Sequence, residues 1–113
     1  MVGRMREREV CQVQVSVGDR EAALMLARSA VAAGLAACGQ VGGPIRSVYR
    51  WQGQVEEADE WMVTFKTRLS RYQEIEAFIK EQHSYEVPEI ICTPIAMGNS
   101  AYIEWLINST SAD

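Results

Sequence analysis

The side chains best suited to chemistry cluster at residues 83–90, where the sequence is HSYEVPEI. This stretch holds the single histidine of the 113-residue chain, together with two carboxylates and a phenol. Imidazole nitrogen is a common metal ligand, and Cu(II) favours nitrogen combined with oxygen. His83 and Glu86, three residues apart, therefore form a candidate copper site. The structural alternative is that His83 ends a helix and binds its last carbonyls or Glu86.

Cys38 is the third candidate metal ligand, because a thiolate suits soft ions such as Cu(I). It follows a predicted helix and precedes a glycine-rich segment, residues 39–44, which predicts a loop. The negative end of a helix dipole disfavours a thiolate, so a buried thiol without a metal is the competing interpretation. A structural metal site needs about four ligands, and one chain offers one imidazole. A strong site would therefore have to be assembled from several chains.

A second group of residues could line a cleft between subunits. Glu60 and Lys66 lie on one face of a predicted strand, and the chain order places Tyr85, Glu86 and Glu89 near them. In an enzyme this would be a carboxylate–lysine pair, whereas in a structural role it would be a set of salt bridges between subunits. Nucleophile, phosphate-loop and zinc-protease motifs are missing from the sequence, so no enzyme is predicted. The predicted cleft residues are Trp51, Glu60, Lys66, Tyr85, Glu89 and Trp105, of which the tryptophans could equally be packing anchors.

Two long helices are predicted to position these residues. Residues 20–37 are rich in alanine and leucine, and Asp19 can cap their first turn. Apolar residues recur at three- and four-residue spacing, which predicts one buried stripe. The stripe comprises Leu24, Ala27, Val31 and Leu35, and the many alanines would let the helix lie close to a sheet. A second apolar face predicts another helix that runs to about Gln82.

Alternation of apolar and polar residues predicts three strands, and a short apolar run predicts a fourth. These strands span residues 10–17, 45–52, 60–67 and 90–95. Gln52 and Gly53 predict a tight turn between the second and third strands. The order of strand, helix, strand, strand, helix, strand and short C-terminal helix matches an α+β, ferredoxin-like split βαβ domain. Both long helices then lie on one face of an antiparallel sheet, and the uncovered face predicts an oligomer.

Composition and charge limit the class of protein further. A chain with 48% hydrophobic and 23% charged residues is typical of one soluble globular domain. A net charge of −4 argues against nucleic acid, and no apolar run reaches the roughly 20 residues that span a bilayer. Early charges argue against a signal peptide, and the three cysteines lack C-x-x-C spacing, so we expect a cytoplasmic protein with free thiols. We predict a tail over residues 1–8, one domain over 9–109 and a second tail over 110–113.

Several short motifs occur in a fixed order along the chain. They are LAAC at 35–38, SVYRWQG at 47–53, Glu60, KT at 66–67, HSYEVPEI at 83–90, and Gly98 with Tyr102 and Trp105. Over about residues 10–109 this set resembles the CutA family of divalent-cation tolerance proteins. The resemblance implies a ferredoxin-like subunit of a PII-like homotrimer, whose long second and third strands pair between subunits. It also implies a non-enzymatic role in tolerance of copper and other divalent metals, which folding does not require.

Two positions depart from the pattern of that family. The family usually has H-P-Y-E, where this chain has Ser84, so the backbone entering Tyr85 is less restricted. Some bacterial members carry a cysteine where this chain has Val15, and a thiolate site that used it is absent here. The likeness to PII-type proteins keeps a second function open. It is a signalling or scaffold trimer that binds a small metabolite or a protein partner in clefts between subunits.

Overall fold

The computed structural model describes residues 8–111, which form an α+β domain with four strands and three helices. In chain order the elements are β1 (Val10–Val17), α1 (Arg20–Ala32), β2 (Cys38–Trp51), β3 (Gln54–Arg68), α2 (Tyr72–Gln82), β4 (Ile90–Pro94) and α3 (Ser100–Ser109). This order confirms the predicted ferredoxin-like βαββαβ plan with a short C-terminal helix. Within the described residues, no helix is long and apolar enough to cross a membrane.

The four strands form one antiparallel sheet in the order β2-β3-β1-β4. β1 lies inside the sheet, where Val15 faces Val63 of β3 on one side and Ile90 of β4 on the other. β2 and β4 are the edge strands. β4 ends at Pro94, which agrees with the prediction that this proline lies at a strand end or an edge, because proline cannot donate to the ladder.

The glycine-rich segment 39–44 belongs to β2, so the predicted loop at this position is wrong. Close packing explains the difference. A Cβ on Gly39 would lie 3.1 Å from the Phe65 ring and 3.2 Å from the Ala27 methyl group. Glycine therefore lets this part of the strand pass between the core ring and helix α1 without displacing either of them.

The main core lies between one face of the sheet and helices α1 and α2. Its fully enclosed side chains include Val13, Val15, Val63, Phe65, Ile75 and Ile79. Because side chains alternate along a strand, Met62, Thr64 and Lys66 point to the opposite face. That face mixes polar side chains with Met62 and the exposed Ile91, and Gln14 Nε2 donates to Thr64 Oγ1 across it at 3.2 Å.

Helix α1 has the predicted cap but not the predicted buried face. Asp19 Oδ2 accepts a hydrogen bond from the Ala22 N–H at 2.9 Å. The buried residues of the helix are Ala23, Leu26, Ala27 and Ala30. Of the predicted stripe, Ala27 is buried and Leu35, beyond the end of the helix, packs against the core, whereas Leu24 is only partly buried and Val31 is exposed. The helix also ends at Ala32 and not at 37, because Gly34 takes a left-handed φ of 75°.

β2 and β3 extend past the rest of the sheet as a two-stranded ribbon, residues 45–60, which we call the arm. Because β1 ends beside the middle of β3, the arm residues of β3 pair with β2 alone. Gln52 and Gly53 form the turn at its tip with φ values of 51° and 80°, which confirms the predicted tight turn. An irregularity in the ladder between Gly42 and Ile45 marks the base of the arm.

Helix α3 forms a small second core beneath the start of β1. Its members are Val10, Leu106 and Ile107. Arg68 Nη2 and Arg71 Nε donate to the Thr110 carbonyl oxygen at 2.7 and 3.0 Å. Thr110 is fully buried, so ordered packing continues one residue past the predicted boundary at 109. Residues 1–7 and 112–113 lie outside the described residues, and the predicted tails there stay predictions.

Leu26 and its neighbour Met25 test which face of α1 is buried. Leu26→Ala should lower the free energy of unfolding by about 2 to 5 kcal/mol, because it leaves a cavity at a side chain that is 4% exposed. Met25→Ala should change it by less than about 0.5 kcal/mol, because Met25 is 60% exposed. Urea denaturation measures both values. Similar losses at the two positions would contradict the observed orientation of the helix.

Candidate functional site

A cleft of about 630 Å³ opens between the arm and the loop at residues 83–89, which joins α2 to β4. Its walls come from the end of β1, from both strands of the arm and from this loop. The lining residues are Ser16, Ser47, Val48, Tyr49, Trp51, Glu60, Tyr85, Glu86, Val87 and Glu89. The structure thus brings together four of the predicted cleft residues, namely Trp51, Glu60, Tyr85 and Glu89. That the cleft lies between subunits stays a prediction.

A hydrogen bond from Tyr85 to Glu60 ties the loop to the sheet. Tyr85 Oη donates to Glu60 Oε2 at 2.8 Å, and Glu60 is only 6% exposed. A buried carboxylate needs such a partner, because burial without one is costly. Gly18 provides the space, since a Cβ there would lie 2.7 Å from Tyr85 Oη. Burial and the hydrogen bond to Glu60 raise the pKa of Tyr85 from 10.0 to about 12.

His83 follows the last residue of α2 and uses both ring nitrogens within the chain. Nε2 lies 2.7 Å from the Ser16 carbonyl oxygen, and Nδ1 accepts from the Tyr85 N–H at 3.1 Å. Because Nδ1 accepts, the neutral ring carries its proton on Nε2 and donates it to Ser16. These partners differ from the helix carbonyls and Glu86 that the structural alternative named. A metal ligand role for His83 requires one of the two hydrogen bonds to break.

Cys38 lies at the start of β2 and contacts α3. Its Sγ is 3.8 Å from Tyr102 Oη, and the Tyr102 ring packs against Trp105 with centroids 5.4 Å apart. Burial and the contact with Cys38 raise the pKa of Tyr102. Because α1 ends at Ala32, its dipole does not act directly on the Cys38 thiol. Cys38 and Trp105 therefore belong to a second cluster, apart from the cleft.

The three predicted metal ligands do not converge within one chain. Cys38 lies opposite Lys66 of β3. His83 binds the carbonyl oxygen of Ser16, which lies opposite Met62, four residues earlier in β3. Four residues along a strand span roughly 13 Å, but two ligands of one metal ion lie within about 5 Å of each other. Among residues 8–111, no group of three His, Cys, Asp or Glu side chains could hold a metal ion. A metal role for His83, Glu86 and Cys38 stays a prediction that needs donors from other chains.

Lys66 also lies away from the cleft. Its Nζ donates to Gln40 Oε1 of β2 at 2.6 Å, on the face of the sheet that points away from α1 and α2. Glu60 is six residues along the same strand, roughly 20 Å away. The carboxylate–lysine pair considered as catalytic machinery therefore does not form within the described part of one chain.

Three cleft residues on the arm, Ser47, Val48 and Tyr49, escaped prediction, although the sequence held the signal for the first and the last. Ser47, Tyr49 and Trp51 occupy alternate positions of β2, so they share one face of the strand. Predicting Trp51 as a cleft residue implied the other two. Ser16 and Val87 gave no such signal, because they reach the cleft only where β1 ends and where the 83–89 loop folds back.

The βαββαβ order, the single antiparallel sheet and the long arm together define the ferredoxin-like, PII-like class of α+β proteins. Residues 11–109 match the CutA1 divalent ion tolerance protein family, and the chain belongs to this family. The resemblance seen in the sequence motifs is thereby confirmed.

Relatives within the family agree in sequence and in fold. The chain is 43% identical over 98 residues to the chloroplastic protein CutA of Arabidopsis thaliana, covering 87% of this chain and 54% of that protein. It is 38% identical over 98 residues to the divalent-cation tolerance protein CutA of Thermus thermophilus, covering 87% of this chain and 95% of that protein. The crystal structure of CutA1 from Oryza sativa matches with a TM-score of 0.89 at 40% identity, covering 93% of this chain and 96% of that one. The chain thus spans about half the length of the Arabidopsis protein and nearly all of the Thermus protein.

The raised pKa of Tyr85 predicts a loss of stability in alkali. Because the folded protein holds this proton more tightly than the unfolded chain, the contribution is complete below pH 10.0 and is lost as the pH rises towards about 12. Tyr85→Phe removes this contribution, so its stability should fall less steeply over that range. Denaturant unfolding of both proteins across the range measures the difference. A difference that does not change with pH would contradict the assignment.

Proposed function

We propose that this protein acts in tolerance of divalent cations, copper foremost, as a non-enzymatic homotrimer whose metal site is shared between chains. Membership of the CutA1 divalent ion tolerance family supports the biological role. A relative named for divalent-cation tolerance, from Thermus thermophilus, supports a binding role over catalysis. We also propose a cytoplasmic location, which the free state of all three cysteines supports, because thiols stay reduced there.

The exposed arm is the observation that best supports the proposed homotrimer. An isolated two-stranded ribbon is marginally stable in water, and the arm residues pair only with each other. Its exposed large apolar side chains are Ile45, Val48, Tyr49, Trp51 and Val55. β2 is also an edge strand of 14 residues, whose outward backbone groups can pair with another chain. Copies of the chain that cover the arm would supply the burial that one chain lacks.

A shared metal site fits the distribution of donors in one chain. The ring nitrogens of His83 are both engaged, while Glu86 is exposed at the rim of the cleft. Among residues 8–111, Glu86 forms no group of three metal-binding side chains with the other carboxylates of the cleft, and hard cations take about six oxygen ligands. Symmetry-related carboxylates or thiols from neighbouring chains would complete the set. The cleft and the arm lie next to each other, so an assembly that covers the arm also brings new groups to Glu86.

The cleft itself favours a second candidate function, a PII-like signalling or scaffold trimer. A cavity of about 630 Å³ with aromatic walls and a few polar groups has the size and character of a small-molecule site. Glu60 and Tyr85 give it a fixed polar end. In this function the protein would bind a metabolite or a segment of a partner protein in the cleft and would catalyse no reaction.

Val55→Asp tests the proposed assembly. Val55 is 66% exposed and lies opposite Arg50 in the arm. An aspartate there can form a favourable cross-strand charge pair with Arg50, so the hairpin itself should stay intact. We expect the wild type to sediment at three times the mass of one chain and the variant to sediment as a monomer. Val31→Asp on the outer side of α1 is the control and should stay trimeric. A monomeric wild type, or a variant that stays trimeric, would count against the role of the arm.

Copper titration tests the shared site. Calorimetry with Cu(II) should show binding to the trimeric wild type and loss of binding in the Val55→Asp monomer. His83→Gln tests the predicted imidazole ligand: unchanged copper binding would rule it out, since the ring nitrogens then keep Ser16 and Tyr85 as their partners. Retained affinity in the monomer would contradict a shared site. Loss of affinity in a trimeric His83→Gln protein would show that the imidazole exchanges a hydrogen bond for the metal.

A further inference from the structure

We propose that the cleft between the arm and the 83–89 loop binds a small organic cation, a protonated amine on a compact apolar body. This inference rests on the second candidate function above and names the chemical class of its ligand. Three features of the cleft carry it. They are the sign of its charge, its aromatic and apolar wall, and a buried carboxylate with one oxygen left free.

All the charged side chains that line the cleft are acidic. Glu60, Glu86 and Glu89 line it, and no lysine, arginine or histidine of the described residues does so. The arm also carries two arginines: two carboxylates of β3 bind the Arg46 guanidinium group at 3.2 and 3.0 Å, and Arg50 does not line the cleft. A cavity lined by one sign of charge attracts the opposite sign. Phosphates and carboxylates are therefore poor ligands for this cleft, and cations are good ones.

The wall beside these carboxylates suits the rest of an organic ligand. Tyr49 and Trp51 line the cleft and are 44% and 40% exposed in a single chain, so the inference requires that the assembled protein leave the cleft side of both rings open. A cation within about 6 Å of an aromatic face is attracted by its quadrupole, most strongly by tryptophan. Val48 and Val87 add apolar surface at the same cavity. An amine with a hydrocarbon body would satisfy both kinds of surface.

Glu60 supplies a prepared anchor for the amine. Tyr85 Oη holds Oε2 at 2.8 Å, whereas Oε1 has no hydrogen-bond partner among residues 8–111. Every enclosed side-chain oxygen and nitrogen of those residues has a partner, so Oε1 must be accessible, and the cleft is the cavity that Glu60 lines. Glu60 as a whole is only 6% exposed. A charge-assisted bond from an ammonium group to a carboxylate oxygen held in place by its neighbours is among the stronger hydrogen bonds.

The same geometry selects an organic cation over a metal ion within one chain. A divalent ion requires several converging donors, and no cluster of three metal-binding side chains exists in the described part of the chain. An ammonium group needs only one carboxylate and gains further from an aromatic face. The cleft has one buried carboxylate and two accessible rings.

Calorimetric titration with benzylammonium tests this inference, and benzyl alcohol and benzoate serve as neutral and anionic counterparts of the same size. We expect wild-type protein to bind benzylammonium at least about tenfold more tightly than either counterpart. Glu60→Gln keeps an oxygen that can accept the hydrogen bond from Tyr85 but removes the negative charge. It should lower the affinity for benzylammonium at least about tenfold. Trp51→Leu should weaken it as well. Glu81→Gln, at an exposed position of α2, is the matched control and should bind like the wild type.

Three results would overturn the inference. They are no benzylammonium binding at millimolar concentration, equal affinity for benzyl alcohol, or unchanged affinity in Glu60→Gln. The comparison of the three ligands needs no variant, so it stays decisive if Glu60→Gln fails to fold. Sedimentation of each sample separates the two proposals. If the wild type is a trimer that binds no benzylammonium, the cation-binding inference is wrong and the proposed homotrimer stands. If the wild type is a monomer that binds benzylammonium, the proposed homotrimer is wrong and the cation-binding inference stands.

Discussion

The structure depends on a difference in length between its two central strands. β1 has 8 residues and β3 has 15, so β3 continues past the end of β1 with β2 as its only neighbour. That continuation is the arm. The enclosed core is built where β1 is present, so the arm has no core of its own. Its apolar side chains stay exposed in a single chain, and this exposure is the strongest physical reason to expect several copies to assemble.

The cleft forms at the same place because β1 ends there. Glu60 is the first residue of β3, towards the arm, that has no partner in β1. Gly18 follows β1 and has no side chain to block the Tyr85 phenol, which therefore reaches Glu60. The end of β1 also presents the Ser16 carbonyl oxygen that His83 binds. Strand length, one glycine and one loop thus place a buried carboxylate beside the aromatic residues of the arm.

Local patterns in the sequence predicted most of the fold, and packing between distant residues decided what they missed. Periodicity gave the order of strands and helices, because each half-buried element repeats its apolar side at a fixed spacing. It could not select the buried face of α1, where alanines occur on several sides. It could not show that segment 39–44 is a strand, because glycine is disfavoured in strands in general, and only the close packing of Gly39 against Phe65 and Ala27 favours it here. His83 gave no local clue to its partner Ser16, which lies 67 residues away.

Hydrogen exchange at the backbone amides of residues 45–60 most directly tests whether copies of the chain cover the arm. Outward amides of an uncovered edge strand exchange rapidly, whereas amides paired with another chain are protected. Measured at high protein concentration and after dilution, the β2 edge should exchange slowly in the assembled protein and faster once the chains separate. Rapid exchange along this edge at every concentration would contradict an arm that is covered by other chains.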